Sequence, residues 1–285
     1  MGQLLAQILV NGLISGSTYV LVALGFTMIS GIMRVLNFAH GEFYMMGAYG
    51  VYVLTQYGLG YFPALLIGAI IVGAFGVVME RLIFRWVIGR EVNGLIVALG
   101  LSVVLKALAL IIFGPVELAV TRPVHGTLDL GSVSIPYDRL LVGGCAFGIM
   151  LLFYFFLTFT RVGLAMRAVA QDEKIAAIQG VRPSFIHAAA FGLGCLLAGL
   201  AGGLMAPIYT VNPTIGELPM GKAFVIVILG GLGSIPGAVV GGLLLGIAES
   251  FFSTLIDGTV SAMLVFALVV LVIIVRPQGL MGRSL

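Results

Sequence analysis

The chain of 285 residues is 61% hydrophobic and only 9% charged, and its mean hydropathy is +1.21. Soluble domains carry about 25% charged residues, so these values exclude an ordinary soluble enzyme or binding module. The net charge of +3 does not indicate a nucleic-acid partner, because the basic residues fall in a few short places between apolar tracts. This composition is typical of a protein that lies in lipid.

Long uncharged runs divide the chain into membrane-sized segments. The runs cover residues 3–33, 43–79, 140–160, 183–216, 223–248 and 258–275. A bilayer core about 30 Å thick needs roughly 20 helical residues, and most runs reach that length. The sequence therefore predicts an all-α polytopic membrane helix bundle of about 7–8 segments, with residues 1–285 as a single transmembrane domain. The first segment has no charged leading region, so we expect it to be retained as a span.

Basic residues set the predicted orientation of these segments. Nine of them lie in three short places, which the positive-inside rule assigns to the cytoplasm: Arg81, Arg85 and Arg90; Arg161, Arg167, Lys174 and Arg182; Arg276 and Arg283. Residues 160–183 then form a cytoplasmic loop, and residues 114–139, rich in helix breakers, form the largest outside loop. The other segments alternate: 63–84 inward, 93–113 outward, 140–159 inward, 184–206 outward, 207–221 outside, the tail after Val275 inside, and the N-terminus outside if 4–32 and 43–56 each cross once.

The stretch "MRVLNFAHGEF", residues 33–43, places three ionisable side chains between long apolar tracts. Charged groups are costly inside a bilayer, so they pair, sit near an interface or face a cavity. In one interpretation Arg34 marks the cytoplasmic end of the first span and Glu42 pairs with Arg34. In the other, the stretch is a helix break in which Asn37, His40 and Glu42 line or gate a path through the membrane.

A second helix break is predicted at "GGLGSIPG", residues 230–237. The tract 222–256 is too short for two complete spans, and glycine and proline interrupt helices. We therefore expect a pair of half-helices that meet partway through the bilayer, where broken backbone must be buried in protein or line a wet cavity. Both breaks are followed by Gly-Ala and a further Gly, a weak internal repeat of the kind that indicates a central site in transporters. The residues assigned to the path here are Gly230, Gly231, Gly233 and Ser234.

The cytoplasmic loop "TRVGLAMRAVAQDEKIAAIQGVRPSF", residues 160–185, predicts a short amphipathic helix. Small residues lie beside polar ones in its centre, and Gly180 and Pro183 end the helix. Two interpretations stay open from composition alone. The helix is either a solvated connector or a docking element that inserts into a groove on a cytoplasmic partner.

Other features carry less functional information. "GELPMGKA", residues 216–223, matches a phosphate-binding P-loop in part, but it contains a proline and follows no predicted strand. The three histidines are scattered, so no metal site is expected. The cysteines, Cys145 and Cys195, are predicted to be packing thiols. Lys106 either snorkels or pairs with another helix, and Glu80 is expected to pair with the adjacent Arg81.

Glycine makes up 41 of the 285 residues, about twice the usual share of ~7%. Several glycines have the spacing that lets membrane helices approach closely: Gly12 and Gly16, Gly199 and Gly203, Gly237 and Gly241, Gly242 and Gly246. We expect most of them to pack within one bundle.

Four segments, in this order, resemble the inner-membrane permeases of branched-chain amino acid ABC importers, and in particular the smaller of the two permease types. They are "LNFAHGEFYMMGAY" (36–49), "TRVGLAMRAVAQDEKIAAIQGV" (160–181), "KAFVIVILGGLGSIPGAVVGGLLLG" (222–246) and "RPQGLMGR" (276–283). The resemblance implies a multi-pass protein of the bacterial inner membrane, whose 114–139 loop is periplasmic. It does not specify the solute, because related permeases carry urea, short amides or other amino acids.

The resemblance also implies a partner set: a second homologous permease, two cytoplasmic ABC ATPases and a periplasmic solute-binding protein, around a small-molecule substrate. ATP would be hydrolysed on the partner ATPases, so this chain needs no cofactor and is not an enzyme. The loop that would dock on the ATPases lacks the family's fuller Glu-Ala-Ala and Ile-x-Leu-Pro pattern. Its coupling residues are assigned as Arg167, Ala168, Asp172, Glu173, Ala176, Ala177 and Gly180. There are two rival hypotheses. One is an ion-coupled transporter that uses Glu42 or Glu249, and the other is a passive channel.

Overall fold

The computed structural model describes residues 2–129, 134–256, 258–276 and 278–281, which form eleven α-helices and one pair of short antiparallel strands. Six of the helical segments are long and apolar enough to cross a membrane, which confirms the all-α polytopic bundle, while the total of seven or eight segments stays a prediction. The helices are α1 (Gly2–Met33), α2 (His40–Gln56), α3 (Tyr61–Leu82), α4 (Glu91–Phe113), α5 (Tyr137–Phe159), α6 (Arg161–Gln171), α7 (Glu173–Ile178), α8 (Pro183–Met205), α9 (Glu217–Gly230), α10 (Ile235–Leu255) and α11 (Gly258–Val275), and the strands are β1 (Thr127–Asp129) and β2 (Ser134–Pro136).

Helix α8 lies at the centre of the bundle, and α4 and α5 lie at its periphery. In α8, 78% of an 18-residue apolar stretch is buried, compared with 28% of such a stretch in α4 and 22% in α5. Helix α8 packs against α1, α2 and α3, and α1 packs along α10. Because α4 and α5 are apolar on their exposed sides too, most of their surface is suited to lipid or another membrane protein.

Glycines allow the central helices to cross with their backbones in contact. Gly12 and Gly16 of α1 face Gly242 and Gly246 of α10, and a Cβ atom at Gly16 would lie 3.0 Å from the carbonyl oxygen of Gly242. A side chain at Gly202 in α8 would overlap the Tyr44 carbonyl of α2. The predicted close-packing glycines therefore make their contacts within this chain, as small residues do in membrane bundles.

The two ends of the bundle differ in charge and structure. At one end, the hairpin end, Gln7 of α1 exchanges two hydrogen bonds with the backbone of Ser134, and Leu118 pairs with Val211. At the other, the basic end, Arg85 donates to the carbonyl of Ser184 beside α6 and α7. The start of α1 thus shares an end with the predicted outside loop. Residues 130–133 of that loop, and Arg283, lie outside the described residues.

The break at 33–43 is confirmed as an interruption of the helix. Helix α1 ends at Met33, and Arg34 adopts a left-handed conformation with φ of 54°. Residues 34–39 leave the helix, and α2 begins at His40. A left-handed conformation is unfavourable for a residue with a Cβ atom, so tertiary packing must hold this turn.

The prediction of two half-helices is wrong in length and depth. Helix α9 has 14 residues, but α10 has 21 and is long enough to span. The turn between them lies at the basic end, where Gly233 packs against Gly31 near the end of α1. The positive φ angles of Gly231 and Gly233, 101° and 79°, let the chain reverse there without a longer loop.

The single amphipathic helix predicted within residues 160–185 is also corrected. It is divided into α6 and α7 at Asp172, whose extended backbone (φ −154°, ψ 109°) ends the first helix. The Asp172 carboxylate accepts a hydrogen bond from the backbone N–H of Ile175 at 2.9 Å and so begins the second helix. An N-cap of this kind competes with continued helix, which explains the division.

Candidate translocation gate and coupling surface

The buried polar cluster of the first break is centred on His40. Its ring is fully buried, and its Nε2 donates to the carbonyl oxygen of Val22 at 3.2 Å. Gly25 leaves room for the ring, since a Cβ atom there would lie 3.0 Å from His40 Cε1. Val22 lies eleven residues, about 16 Å, before the end of α1, so the chain after Arg34 returns deep into the bundle.

Several polar atoms in this cluster have no hydrogen-bond partner. Asn37 is completely buried with both amide atoms unpaired, and His40 Nδ1 is unpaired as well. An unpaired buried polar atom costs about 1–3 kcal/mol, and such atoms are uncommon in folded proteins. The cluster is therefore a place where this conformation leaves polar groups dehydrated.

Glu42 is paired, but with Lys106 and not with Arg34. Its Oε1 accepts a hydrogen bond from Ser102 at 2.9 Å and lies 3.6 Å from Lys106 Nζ. Lys106 also lies 2.7 Å from Glu217 Oε1, so one lysine of α4 joins carboxylates of α2 and α9. The interpretation that pairs Glu42 with Arg34 is wrong. Of the two alternatives for Lys106, snorkelling or pairing with another helix, the structure shows pairing, and with two helices.

The structure brings the two predicted breaks together. Gly31 and Gly233 are in backbone contact, and the Phe38 ring lies 5.2 Å from the Phe224 ring. Gly230 contacts Gly237 closely, and Ser234 Oγ accepts from the backbone N–H of Gly237 to begin α10. The first cluster and the 230–234 turn thus lie on opposite sides of one aromatic contact.

The tail after α11 covers the end of α9. The backbone N–H of Leu280 donates to the carbonyl of Leu229 at 2.7 Å, and that of Met281 donates to Gly230 at 3.0 Å. Gly279, with φ of 76°, lies directly against Gly231. The last carbonyls of α9, which have no partner within the helix, are therefore satisfied by the tail.

The predicted coupling residues lie on α6, α7 and the turn that follows. Thr160 caps α6 by accepting from the N–H of Gly163, and Gly180 ends α7 with φ of 86°. The residues of α7 and its turn are exposed except for Ala176, which packs inward. Arg167, Asp172, Glu173, Ala177 and Gly180 are exposed, and Ala168 is half-buried. Ile178, which sequence reasoning did not single out, is 83% exposed at the tip.

Polar side chains lie where this surface meets the bundle. His187, near the start of α8, lies 3.9 Å from the Glu173 carboxylate of α7. Glu80 is buried and pairs with Arg85 at 3.2 Å, so the predicted pair with Arg81 is wrong. Five residues separate Glu80 from Arg85, and the 3₁₀ turn at Phe84–Trp86 brings the two side chains together.

Comparison with known proteins identifies the family. Residues 8–275 match the family described as branched-chain amino acid transport system / permease component. The chain belongs to this family. The permease is 38% identical to the high-affinity branched-chain amino acid transport system permease protein BraD of Pseudomonas aeruginosa, over 97% of this chain and 95% of BraD. It is 36% identical to LivH of Escherichia coli, which carries the same description, over 97% of this chain and 95% of LivH.

The permease also matches LivM of Escherichia coli, at 27% identity over 93% of this chain but only 68% of LivM. LivM is therefore the longer protein, and the resemblance to the smaller permease type is confirmed. No solved structure gave a significant match. The protein is a membrane permease component and not an enzyme.

The residues of the partial P-loop match have a different role from the one the motif suggests. Residues 217–230 form α9, so no phosphate-binding loop exists there. Glu217 pairs with Lys106, and Lys222 lies 2.6 Å from both the Glu249 carboxylate and the Tyr19 hydroxyl. The only signal for these pairs in the sequence was the presence of charge inside hydrophobic segments.

Proposed function

We propose that the permease is the membrane subunit of an ABC importer for branched-chain amino acids in a bacterial inner membrane. It acts there with a second, homologous permease, two cytoplasmic ATPases and a periplasmic solute-binding protein. The observation that carries the proposal is the similarity along almost the whole chain to BraD and LivH. In Escherichia coli two different chains, LivH and LivM, are named as permeases of such a system, and this supports the second permease.

The surface formed by α6 and α7 supports docking of the ATPases. Two short capped helices at the basic end expose an isoleucine in water, where an apolar side chain gains stability by entering a partner's groove. Helices α6 and α7 also pack against α8, the central helix. Movement of the ATPases would reach the core of the bundle through these contacts.

The gate of the pathway comprises Asn37, His40 and Glu42 together with the turn at Gly230, Gly231, Gly233 and Ser234. In support, Asn37 and His40 have polar atoms that this conformation leaves without partners. An open conformation that admits water to these atoms would recover their hydrogen bonds. A gate of this kind excludes water while it is closed. The hydrogen bonds recovered on opening contribute favourable free energy to the open conformation.

The proposed function is tested by transport in proteoliposomes. The permease is purified with the subunits that bind it, and these partners are identified by mass spectrometry. Uptake of radiolabelled leucine by the reconstituted complex is then measured with ATP inside. We expect uptake that requires ATP and the binding protein, survives an uncoupler, and is inhibited by isoleucine and valine. Uptake by the purified chain alone, or competition by urea or acetamide instead, would contradict the assignment.

The gate is tested with His40→Ala and Glu42→Gln in the same complex. We expect at least one of them to change leucine uptake several-fold while assembly, measured by size-exclusion chromatography, stays normal. The matched control is Gln56→Ala at the far end of the same helix. Wild-type uptake in both gate variants would assign the cluster a structural role.

A further inference from the structure

Five charged side chains form ion pairs with one another around α9. Within the described ranges they are Glu42, Lys106, Glu217, Lys222 and Glu249. Glu217 and Lys222 belong to α9, and each pairs with a partner on another helix. Glu42 joins the group through Lys106. Among the described residues, no other short helix has ion pairs to two different helices.

These pairs lie below the hairpin end at a depth normally occupied by lipid chains. Lys106 lies seven residues, about 10 Å, before the end of α4. Glu249 lies six residues, about 9 Å, before the end of α10. Even so, the side chains of Lys106 and Glu217 remain 31% and 53% exposed on the surface of the chain. Exposed charge at such depth is stable only against water or against another protein.

Helix α9 presents an open apolar strip between the two ion pairs. At 100° per residue, Gly221 and Leu218 point between Glu217 on one side and Lys222 on the other. Leu218 is 78% exposed, and a Cβ atom at Gly221 would meet nothing within 4 Å. Gly221 therefore differs from the glycines that this chain uses for packing, because it leaves space on the outside of the bundle.

The exposed sides of α3 and α5 are different, since they carry no charged side chain between the helix ends. On α5 these include Phe147, Leu151, Leu152 and Phe155, and on α3 Leu66, Ile67, Ile70 and Ile71. Such faces suit lipid. The charged pairs are thus confined to one side of the permease, which we call the α9 face: Glu217, Leu218, Gly221 and Lys222.

We propose that the α9 face is a wall of the aqueous path and binds a small solute that carries both signs of charge and an apolar side chain. Glu217 would exchange Lys106 for the solute's ammonium group, and Lys222 would exchange Glu249 for its carboxylate. The apolar side chain would lie over Leu218 and Gly221. Because Lys106 and Glu249 give up these partners in the exchange, the net gain in free energy is small and the site binds weakly, as a transport path requires. This inference rests on the proposed transport function and adds the place where the solute is met.

The experiment measures access of water and solute to Gly221. In the full complex with Cys145→Ala and Cys195→Ala, Gly221→Cys is compared with Phe147→Cys. Phe147 is the matched control because it is exposed on α5 about 15 Å from the helix start at the hairpin end. Membrane vesicles are treated with a small, charged thiosulfonate reagent, with and without millimolar leucine and the binding protein, and the rate of modification is measured.

We expect Gly221→Cys to react about tenfold faster than Phe147→Cys, because the reactive thiolate forms in water and not in lipid. Leucine should slow the reaction at Gly221→Cys several-fold and leave Phe147→Cys unchanged. Equal, slow reaction of both variants, or a disulfide from Gly221→Cys to the second permease, overturns the proposal. Fast reaction without protection by leucine overturns its solute-binding part.

Uptake by the cysteine-free parent separates this proposal from the proposed function. If the parent accumulates leucine with ATP and Gly221→Cys is inaccessible, only the inference about the α9 face fails. If the parent shows no ATP-driven uptake of leucine, the proposed function fails, whatever the reaction rates are.

Discussion

At the scale of residues, the contacts that order the site are those of Lys106, a lysine that joins three helices. Lys106 lies between the carboxylates of Glu42 and Glu217, and Ser102 of its own helix also donates to Glu42. Helix α4 makes few other contacts with the bundle. The charged network therefore fixes the position of a helix that apolar packing alone holds weakly.

Replacing Lys106 should destabilise the permease, because the buried carboxylate of Glu42 would lose its cationic partner. Breaking a fully buried pair costs roughly 3–5 kcal/mol, and because Lys106 is partly exposed we expect about 1–3 kcal/mol for Lys106→Met. The measurement is the thermal midpoint of the purified complex. Lys106→Arg, the control, should stay close to wild type. If Glu42→Gln combined with Lys106→Met is no more stable than Lys106→Met alone, the buried carboxylate is not the cause.

At the scale of elements, the packing of α8 against its neighbours depends on the absence of side chains. Gly202 touches the Tyr44 backbone, and Gly47 of α2 lies directly against Gly199. Contacts between backbones gain dispersion energy along the whole crossing and exclude lipid from it. A single added methyl group must push the two helices apart over several residues.

Gly202→Ala should therefore lower stability by about 1–3 kcal/mol, the usual cost of overpacking a well-packed core. Gly148→Ala on α5 is the matched control, since a Cβ atom there meets nothing within 4 Å. The thermal midpoints of the two variants should differ clearly in the detergent-solubilised complex. Equal midpoints would mean that α2 and α8 adjust without cost.

The short helix α7 is expected to act at the interface with the ATPases. Ile178→Asp removes the exposed apolar tip, so the permease should stay folded but retain several-fold less ATPase in co-purification. Tyr57→Asp is the control, because Tyr57 is similarly exposed at the opposite end of the bundle. Loss of ATPase in both variants, or in neither, would argue against a specific docking role for α7.

The elements could be predicted from the sequence far better than their depths and partners. The apolar segment of residues 93–113, in which Lys106 is the single charged residue, predicts α4 almost to the residue, because lipid demands a continuous apolar helix of this length. The position of the 231–234 turn at the basic end was not predictable, since it depends on contacts with Gly31 and Gly279 far away in sequence. The division at Asp172 was within reach, because an Asp three residues before the helical N–H it caps is a recognised signal.

The candidate site was predictable in its residue types but not in its pairing. Charge inside apolar segments marked Glu42 and Lys106 as unusual, yet hydrophobic periodicity does not tell which helices are neighbours. Sixty residues separate Glu42 from Ser102, and 111 separate Lys106 from Glu217. These partners are selected only when the helices pack together. The sequence does not determine that packing, because the same glycines could have served contacts between other pairs of helices.

At the scale of the whole molecule, the two ends of the bundle have different chemistry. The hairpin end carries the strand pair and the start of α1, and the basic end carries α6, α7 and both helix breaks. The asymmetry of basic residues orients membrane proteins with such an end in the cytoplasm. The arrangement places the proposed docking surface at the cytoplasmic end, whereas His40 and Glu42 of the proposed gate lie deeper in the bundle.

This orientation predicts opposite accessibility for two single cysteines in the cysteine-free parent. Thr121→Cys lies in the loop at the hairpin end, and Gln179→Cys lies in the turn after α7. In intact spheroplasts, an impermeant maleimide should label Thr121→Cys only, and after permeabilisation it should label both. Labelling of Gln179→Cys in intact cells would reverse the proposed orientation and remove the basis for docking of cytoplasmic ATPases.

The tail that follows α11 limits where the chain can be truncated or tagged. Because Leu280 and Met281 supply amide protons to Leu229 and Gly230, cutting the chain back to residue 275 would strip two carbonyl groups of their donors beside the 231–234 turn. An affinity tag or reporter should be fused beyond residue 281 through a flexible spacer. A deletion that begins at Arg276 should change leucine uptake in the same way as a substitution in the proposed gate.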